Sequence, residues 1–250
     1  MKHKQGLRPR EEAAELIECY IWGHRLAPHQ KLPSERSMCE MWDLNRSTLR
    51  TAIRQLTEEG LIYSLQGSGT YVSPPKLERN LQDASSLTES VQRSGRVLSS
   101  VVLNASVMPC PDHVAHRLKT APEHKIFYLR RVRSLDGVPF TIESAYLNYD
   151  HCQDIGSHDF EKESLYQALE DHGILLTHGS ESIGITYATN EESRLLGIRE
   201  NSPLYYLSGI SDLENGSPIE YFKAVVRTDI VRFSCVLHSP GYRQEGSERL

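Results

Sequence analysis

The chain has 250 residues, 38% of them apolar and 24% charged, with a formal net charge of −5. That length suits two ordinary domains, and no apolar run approaches the ~18 residues of a membrane span, so a soluble, cytoplasmic protein with no membrane partner is expected. The cysteines at 19, 39, 110, 152 and 235 form no C-x-x-C pair and read as free thiols; Cys110-Pro111-Asp112-His113, His151-Cys152 and His158 lack a second pair at finger spacing, so neither a metal nor another cofactor is expected.

A first helix is expected from about Pro9 to Trp22, with Ala13, Leu16, Ile17, Tyr20 and Ile21 on one stripe and Gly23 past its end. Ser34, preceded by Pro33, is the N-cap of a second helix that ends near Trp42. A turn through Asp43-Leu44-Asn45 leads to a third helix from Arg46. Its Leu49, Ala52, Ile53 and Leu56 form a buried stripe, while Arg46, Arg50 and Arg54, four apart, form a ridge beside Ser47 and Thr51. After Gly60 the pattern alternates, Leu61 to Leu65 and Thr70 to Val72, around a glycine-containing tip, Gln66-Gly67-Ser68-Gly69. Helix, tight turn, basic helix and Gly-tipped hairpin in that order predict a winged helix-turn-helix that enters a DNA groove, where arginine donates bidentately to guanine or phosphate. An arginine ridge alone would be no more than a solvated face. Residues 1–75 hold ten Lys and Arg against nine Asp and Glu, leaving 18 against 24 in the remainder, so affinity must come from a local basic face and from dimerisation.

The runs Leu32-Pro33-Ser34-Glu35-Arg36, Asn45-Arg46-Ser47-Thr48-Leu49-Arg50, Gln55-Leu56-x-x-Glu59-Gly60-Leu61 and Gln66-Gly67-x-Gly69-Thr70-Tyr71-Val72 resemble the DNA-binding domain of the GntR family of bacterial transcription regulators, over roughly residues 9–73. The resemblance implies that Arg36, Arg46, Ser47, Thr48, Arg50, Gln66 and Gly67 lie against DNA. One departure is His29, where the family usually has Gly.

The N-terminal domain is therefore placed at 1–73, a linker at 74–86, where Ser73-Pro74-Pro75 stops the wing and apolar periodicity is lost, and a second domain at 87–245. The second domain repeats itself. A helix around Val114–Leu118, a strand Ile126–Leu135, the turn Asp136-Gly137 and a further strand recur about 78 residues later as a helix around Ser193–Leu196, Leu204–Leu213, Asn215-Gly216 and Pro218 onward. One antiparallel sheet with pseudo-twofold symmetry is expected, with further helices at 87–95 and 164–172. Phe127, Leu129, Arg131, Arg133 and Leu135 share one strand face, so two cations stand in an otherwise apolar row, whereas the second copy has Gly209 and Ser211. Buried charge needs a partner, and arginines turned simply to solvent or to carboxylates are an equal alternative. Glu143 opposes Arg133 across the sheet if the turn at Asp136-Gly137 has two residues, and shares its face if the loop has three with a bulge at Gly137; both remain open. Ser164-Leu165-Tyr166 opens a helix, a natural seat for an anion.

Leu129-x-Arg131-x-Arg133-x-x-Asp136-Gly137-x-Pro139-x-x-x-Glu143, Ser164-Leu165-Tyr166, Asn215-Gly216-Ser217-Pro218-Ile219-Glu220 and Arg227-Thr228-Asp229 resemble the UTRA effector domain of the HutC-type branch of that family, over about residues 86–237. The resemblance implies an α+β chain whose second half is chorismate-lyase-like. It further implies that Arg131, Arg133, Ser164, Tyr166 and Thr88 hold a phosphate or carboxylate while Glu143 and Glu220 hold hydroxyl or amino groups. Val226 stands where many relatives have Tyr, so the effector need not be the amino-sugar phosphate that some of them bind. The expected function is a homodimeric transcription regulator, a repressor, that binds an inverted-repeat operator in double-stranded DNA and is controlled by a small anionic metabolite, a sugar phosphate being one candidate. The alternative, an enzyme acting on a small carboxylate, lacks a Ser-His-Asp, Cys-His or paired-carboxylate arrangement. A DNA-binding module with no ligand would be favoured if Glu side chains neutralised Arg131 and Arg133 and no cavity existed.

Overall fold

The computed structural model describes residues 9–80, 87–176 and 178–235. Three helices, α1 (Pro9–Gly23), α2 (Glu35–Trp42) and α3 (Arg46–Glu58), precede a hairpin of β1 (Ile62–Leu65) and β2 (Gly69–Val72). Ser34 caps α2 by accepting from the Ser37 amide, and Asn45 caps α3 by accepting from the Thr48 amide. Asp43 between them takes a left-handed conformation, which makes the turn tight. The apolar stripe of α3, Leu49, Ala52, Ile53 and Leu56, is buried against Ala13, Ala14, Ile17 and Ile21 of α1 and Met38 of α2, as its spacing requires. His29, the departure from the family pattern, also adopts a positive φ of 66°, where glycine would be unstrained. Its amide donates to the Val72 carbonyl and its Nδ1 lies 3.0 Å from the Tyr63 hydroxyl, contacts that hold the turn against the wing.

The expected linker is only partly a linker. Leu77–Asn80 form β3, which pairs in parallel with β10 (Val231–Ser234), and Leu77 is buried in the second domain's core. A four-residue strand with one buried side chain, paired more than 150 residues away, leaves no local pattern to read. Residues 81–86, and the expected domain end at 245, lie outside the described residues.

Beyond them come α4 (Leu87–Arg93), β4 (Leu98–Pro109), α5 (Asp112–Leu118), β5 (Lys125–Leu135), β6 (Val138–Asn148), α6 (Leu165–Asp171), β7 (His178–Tyr187), α7 (Asn190–Leu196), β8 (Pro203–Asp212) and β9 (Pro218–Arg227). Strands β4 to β9 make one six-stranded antiparallel sheet in the order β4-β5-β6-β9-β8-β7. The repeat is thus strand, helix, hairpin, twice over, with the pseudo-twofold between β6 and β9. The opening strand of each copy escapes the sequence because β4 and β7 form the sheet's edges and remain mostly exposed.

One face of the sheet buries Val114, Ala115 and Leu118 of α5 and Leu196 of α7. The other face carries α6 over Phe127, Leu129 and Leu147, and α4 with β3 and β10 over Leu135, Phe140 and Val226. Between these two clusters the row on β5 reaches Arg131 and Arg133. There a gap opens.

Candidate functional site

The hairpin between β5 and β6 decides the site's geometry. Asp136 and Gly137 both have positive φ, 51° and 81°, so the turn is the two-residue kind, with Leu135 opposite Val138. The Asp136 carboxylate accepts from the Val97 amide and from Arg96 Nε, which holds this turn in place. A two-residue turn was expected to turn Glu143 away from Arg133. The register, however, shifts between Arg133 and Ser134, leaving Phe140 as an extra residue in β6 and Arg131 directly opposite Glu143. A bulge reverses the alternation of every side chain beyond it. The shared face arises at Phe140 rather than at Gly137.

The same bulge recurs in the second copy, where the register shifts between Ser211 and Asp212 and Ser211 lies opposite Glu220. Gly209, the counterpart of Arg131, cannot carry a side chain, because a Cβ there would lie 2.5 Å from the Phe222 ring. The two buried guanidiniums therefore belong to the first copy alone.

Thr88, Arg131, Arg133, Glu143, Ser164, Tyr166 and Glu220, the seven residues expected to hold an effector, all line one cavity of about 480 Å³. Arg131 and Arg133 are 4% and 5% exposed, which overturns the solvent half of the alternative, while the carboxylate half is met by Glu143. Both donate to the same oxygen, Glu143 Oε1, the second over 3.0 Å. Arg131 also donates to the Phe160 and Glu163 carbonyls, and Arg133 to the Thr88 hydroxyl. Burial alone would raise the Glu143 carboxyl, but the two facing guanidiniums outweigh it and hold the group down at about 2. Burial lowers Arg131 in turn, opposed by the charge of Glu143.

A second polar group faces the first. Glu220 is 2% exposed and accepts from Ser211 Oγ at 2.6 Å and from the Tyr166 hydroxyl at 3.1 Å. Burial raises its carboxyl to about 6 against those two hydrogen bonds, so near neutral pH it is an anion that a small change can protonate. Ser164 is the N-cap of α6 but makes no capping bond with its side chain, so its hydroxyl remains for the cavity. Two guanidiniums share one carboxylate oxygen, Glu220 faces them across the cavity, and the Nε–H groups of both arginines are buried without an acceptor among the described residues. Neutralisation by Glu143 is half of what would favour a module with no ligand; the cavity is the half that fails. Ser211 and Arg79 also line it and were not expected, Ser211 because its role depends on the bulge, Arg79 because β3 was read as linker.

On the opposite end of the chain, Arg46, Ser47, Arg50, Gln66 and Gly67 are exposed on the first turns of α3 and the tip of the wing, with Thr48 half-buried. Ser47 donates to the capping Asn45. Two acids absent from the expected set touch this face. Arg50 Nε donates to Glu35 at 2.8 Å and Arg36 Nε to Glu40 at 2.9 Å, both in exposed pairs that contribute little stability and that DNA phosphates can replace.

A family model described as bacterial regulatory proteins, gntR family, matches residues 9–72, and one described as the UTRA domain matches residues 93–232. The HTH-type transcriptional repressor NagR of Bacillus subtilis is 30% identical over 220 residues, 88% of this chain and 90% of that protein. The mannosyl-D-glycerate transport/metabolism system repressor MngR of Escherichia coli is 26% identical over 236 residues, 94% of this chain and 97% of that protein. Among solved structures, PhnF from Mycobacterium smegmatis superposes with a TM-score of 0.66 at 24% identity, over 93% of this chain and all of that one, a likeness of fold.

Proposed function

The chain belongs to the gntR family of bacterial regulatory proteins, transcription regulators rather than enzymes, and carries a UTRA domain, and from that premise we propose that it is a cytoplasmic repressor released from its operator by a small anionic metabolite. In this reading residues 1–73 bind DNA and 87–245 hold the effector and the dimer contact. The observation that carries it is the pair of buried guanidiniums on an otherwise apolar strand, facing a cavity with a single carboxylate between them. An anionic group would supply acceptors to the buried Arg131 and Arg133 Nε–H groups, which have none among the described residues, and Glu220, Tyr166 and Ser164 offer partners to hydroxyl groups, so a sugar phosphate or sugar acid fits best. MngR, a relative of similar length, is named for a carboxylated sugar.

A panel of phosphorylated and carboxylated sugars, run beside their uncharged parents against a preformed operator complex, tests this by mobility shift. Release by an anionic member and by none of the uncharged parents is expected. Equal release by uncharged sugars would remove the anionic assignment.

The dimer contact is assigned to the β7 edge, where Ile183, Ile185 and Tyr187 alternate on one face and are 37%, 63% and 63% exposed. Two winged helices related by a twofold axis read an inverted repeat. Arg46 and Arg50 read bases while the wing grips the backbone. Arg50→Ala is expected to cost about 1–3 kcal/mol of specific binding and to relax base preference at its position. A binding-site selection with that variant reports on it, and an unchanged consensus would exclude Arg50 from base reading.

A further inference from the structure

Arg79 reaches the cavity from β3, and among the described residues it is the only lining residue that precedes α4. It stands seven residues after Val72, the end of the wing. Its guanidinium lies 5.5 Å from the centre of the Phe233 ring and its Nη2 is 3.6 Å from Glu181 Oε2, longer than a hydrogen bond. The two side chains are 22% and 25% exposed, at the rim of the cavity. A loose ion pair at a rim contributes little, so its cation is available to a better-placed anion. Arg131 and Arg133, by contrast, are each already bound to Glu143 and to further acceptors.

We propose that Arg79 is a third cation of the effector site, exchanging Glu181 for the anionic group of the ligand and so placing that ligand in contact with the strand that leads to the winged helix. This rests on the reading of the cavity as an anion site. The planar fork of arginine can close on a phosphate or carboxylate over two parallel bonds, which the 3.6 Å pair with Glu181 does not offer. Movement of Arg79 acts on β3, and β3 is tied to the rest of the chain at its start. The Leu77 amide donates to the Ile230 carbonyl, and Lys76 Nζ to the Thr228 carbonyl, in the turn that follows β9.

Inorganic phosphate, titrated against chloride at constant ionic strength, is the probe, with the shift in unfolding midpoint of the full chain as readout. The wild type is expected to be stabilised. Arg79→Gln is expected to weaken the apparent phosphate affinity about 5–30-fold, and Glu181→Gln, which frees the cation, to strengthen it. That opposite sign is what a merely structural Arg79 would not produce, and if Arg79→Gln fails to fold, Glu181→Gln still decides. Hydrogen exchange over residues 77–80 supplies a second readout, expected to change with phosphate in the wild type and not in Arg79→Gln. No stabilisation of the wild type would overturn the anion site and this inference with it. Equal stabilisation of the wild type and both variants would leave the anion site standing and overturn the role of Arg79.

Discussion

Glu143→Ala is expected to lower the stability of the second domain by about 3–5 kcal/mol, the cost of leaving buried charge without a partner. Two guanidiniums meet on that one carboxylate oxygen, and with it gone only neutral acceptors, the Phe160 and Glu163 carbonyls and the Thr88 hydroxyl, remain to them. Urea denaturation measures the loss, and a change below about 1 kcal/mol would mean that water reaches both arginines. The reverse design follows the same physics. Arg131→Met, Arg133→Met and Glu143→Leu together replace the cluster with apolar side chains of similar size, which is often neutral. That triple variant should fold and fail to respond to ligand, whereas the two arginine substitutions alone would strand Glu143. The linkage with pH has a defined sign. The Glu143 carboxyl is lower in the folded chain, about 2 against an ordinary 4.5, so its contribution is complete above 4.5 and disappears as pH falls through about 2.

Gly60→Ala is expected to uncouple the two halves of the molecule. Gly60 ends α3 in a left-handed conformation, φ 73°, with its amide donating to Thr57 and the Leu61 amide to Leu56, the paired bonds of a Schellman cap. A side chain there costs about 1–2 kcal/mol in backbone strain alone. The neighbour matters more. A Cβ on Gly60 would lie 2.1 Å from the Asp229 carbonyl oxygen, so the end of the proposed recognition helix rests directly on the turn between β9 and β10. That turn joins Val226 and Val231, both in the cavity wall, and Arg227 and Asp229 close it with an ion pair. Alanine must push the joint open. The ligand-induced loss of operator affinity, typically about 5–150-fold in such systems, should fall to near unity. Gly23→Ala, which meets nothing within 4 Å, is the control. A Gly60→Ala protein that releases operator as the wild type does would place the coupling elsewhere.

What could be read from the sequence follows the range over which each signal acts. The cap at Ser34, the turn before Arg46, the stripe of α3 and the two cations on β5 are encoded within a turn or a strand, and all lie where the spacing put them. The partner of those cations depended on one bulge. Asp136-Gly137 names the turn, but nothing local says that Phe140 is the residue left unpaired, since its burial against Leu135 and Val226 exists only in the assembled sheet. Longer range still are β3 and Arg79, whose environment comes from a strand more than 150 residues away. Edge strands β4 and β7 were hidden for a different reason: both stay largely exposed, so neither contributes the buried apolar row that marks β5.

If the cavity and the DNA-binding face share one equilibrium, as proposed, linkage makes the effect of each ligand on the other reciprocal. Calorimetry tests it most directly, with the sugar phosphate or sugar acid that releases the operator titrated into free protein and into protein saturated with operator DNA. Operator is expected to weaken binding of that compound by the same factor, about 5–150-fold, by which the compound weakens operator binding. Equal affinity for the free and the DNA-bound protein would contradict it.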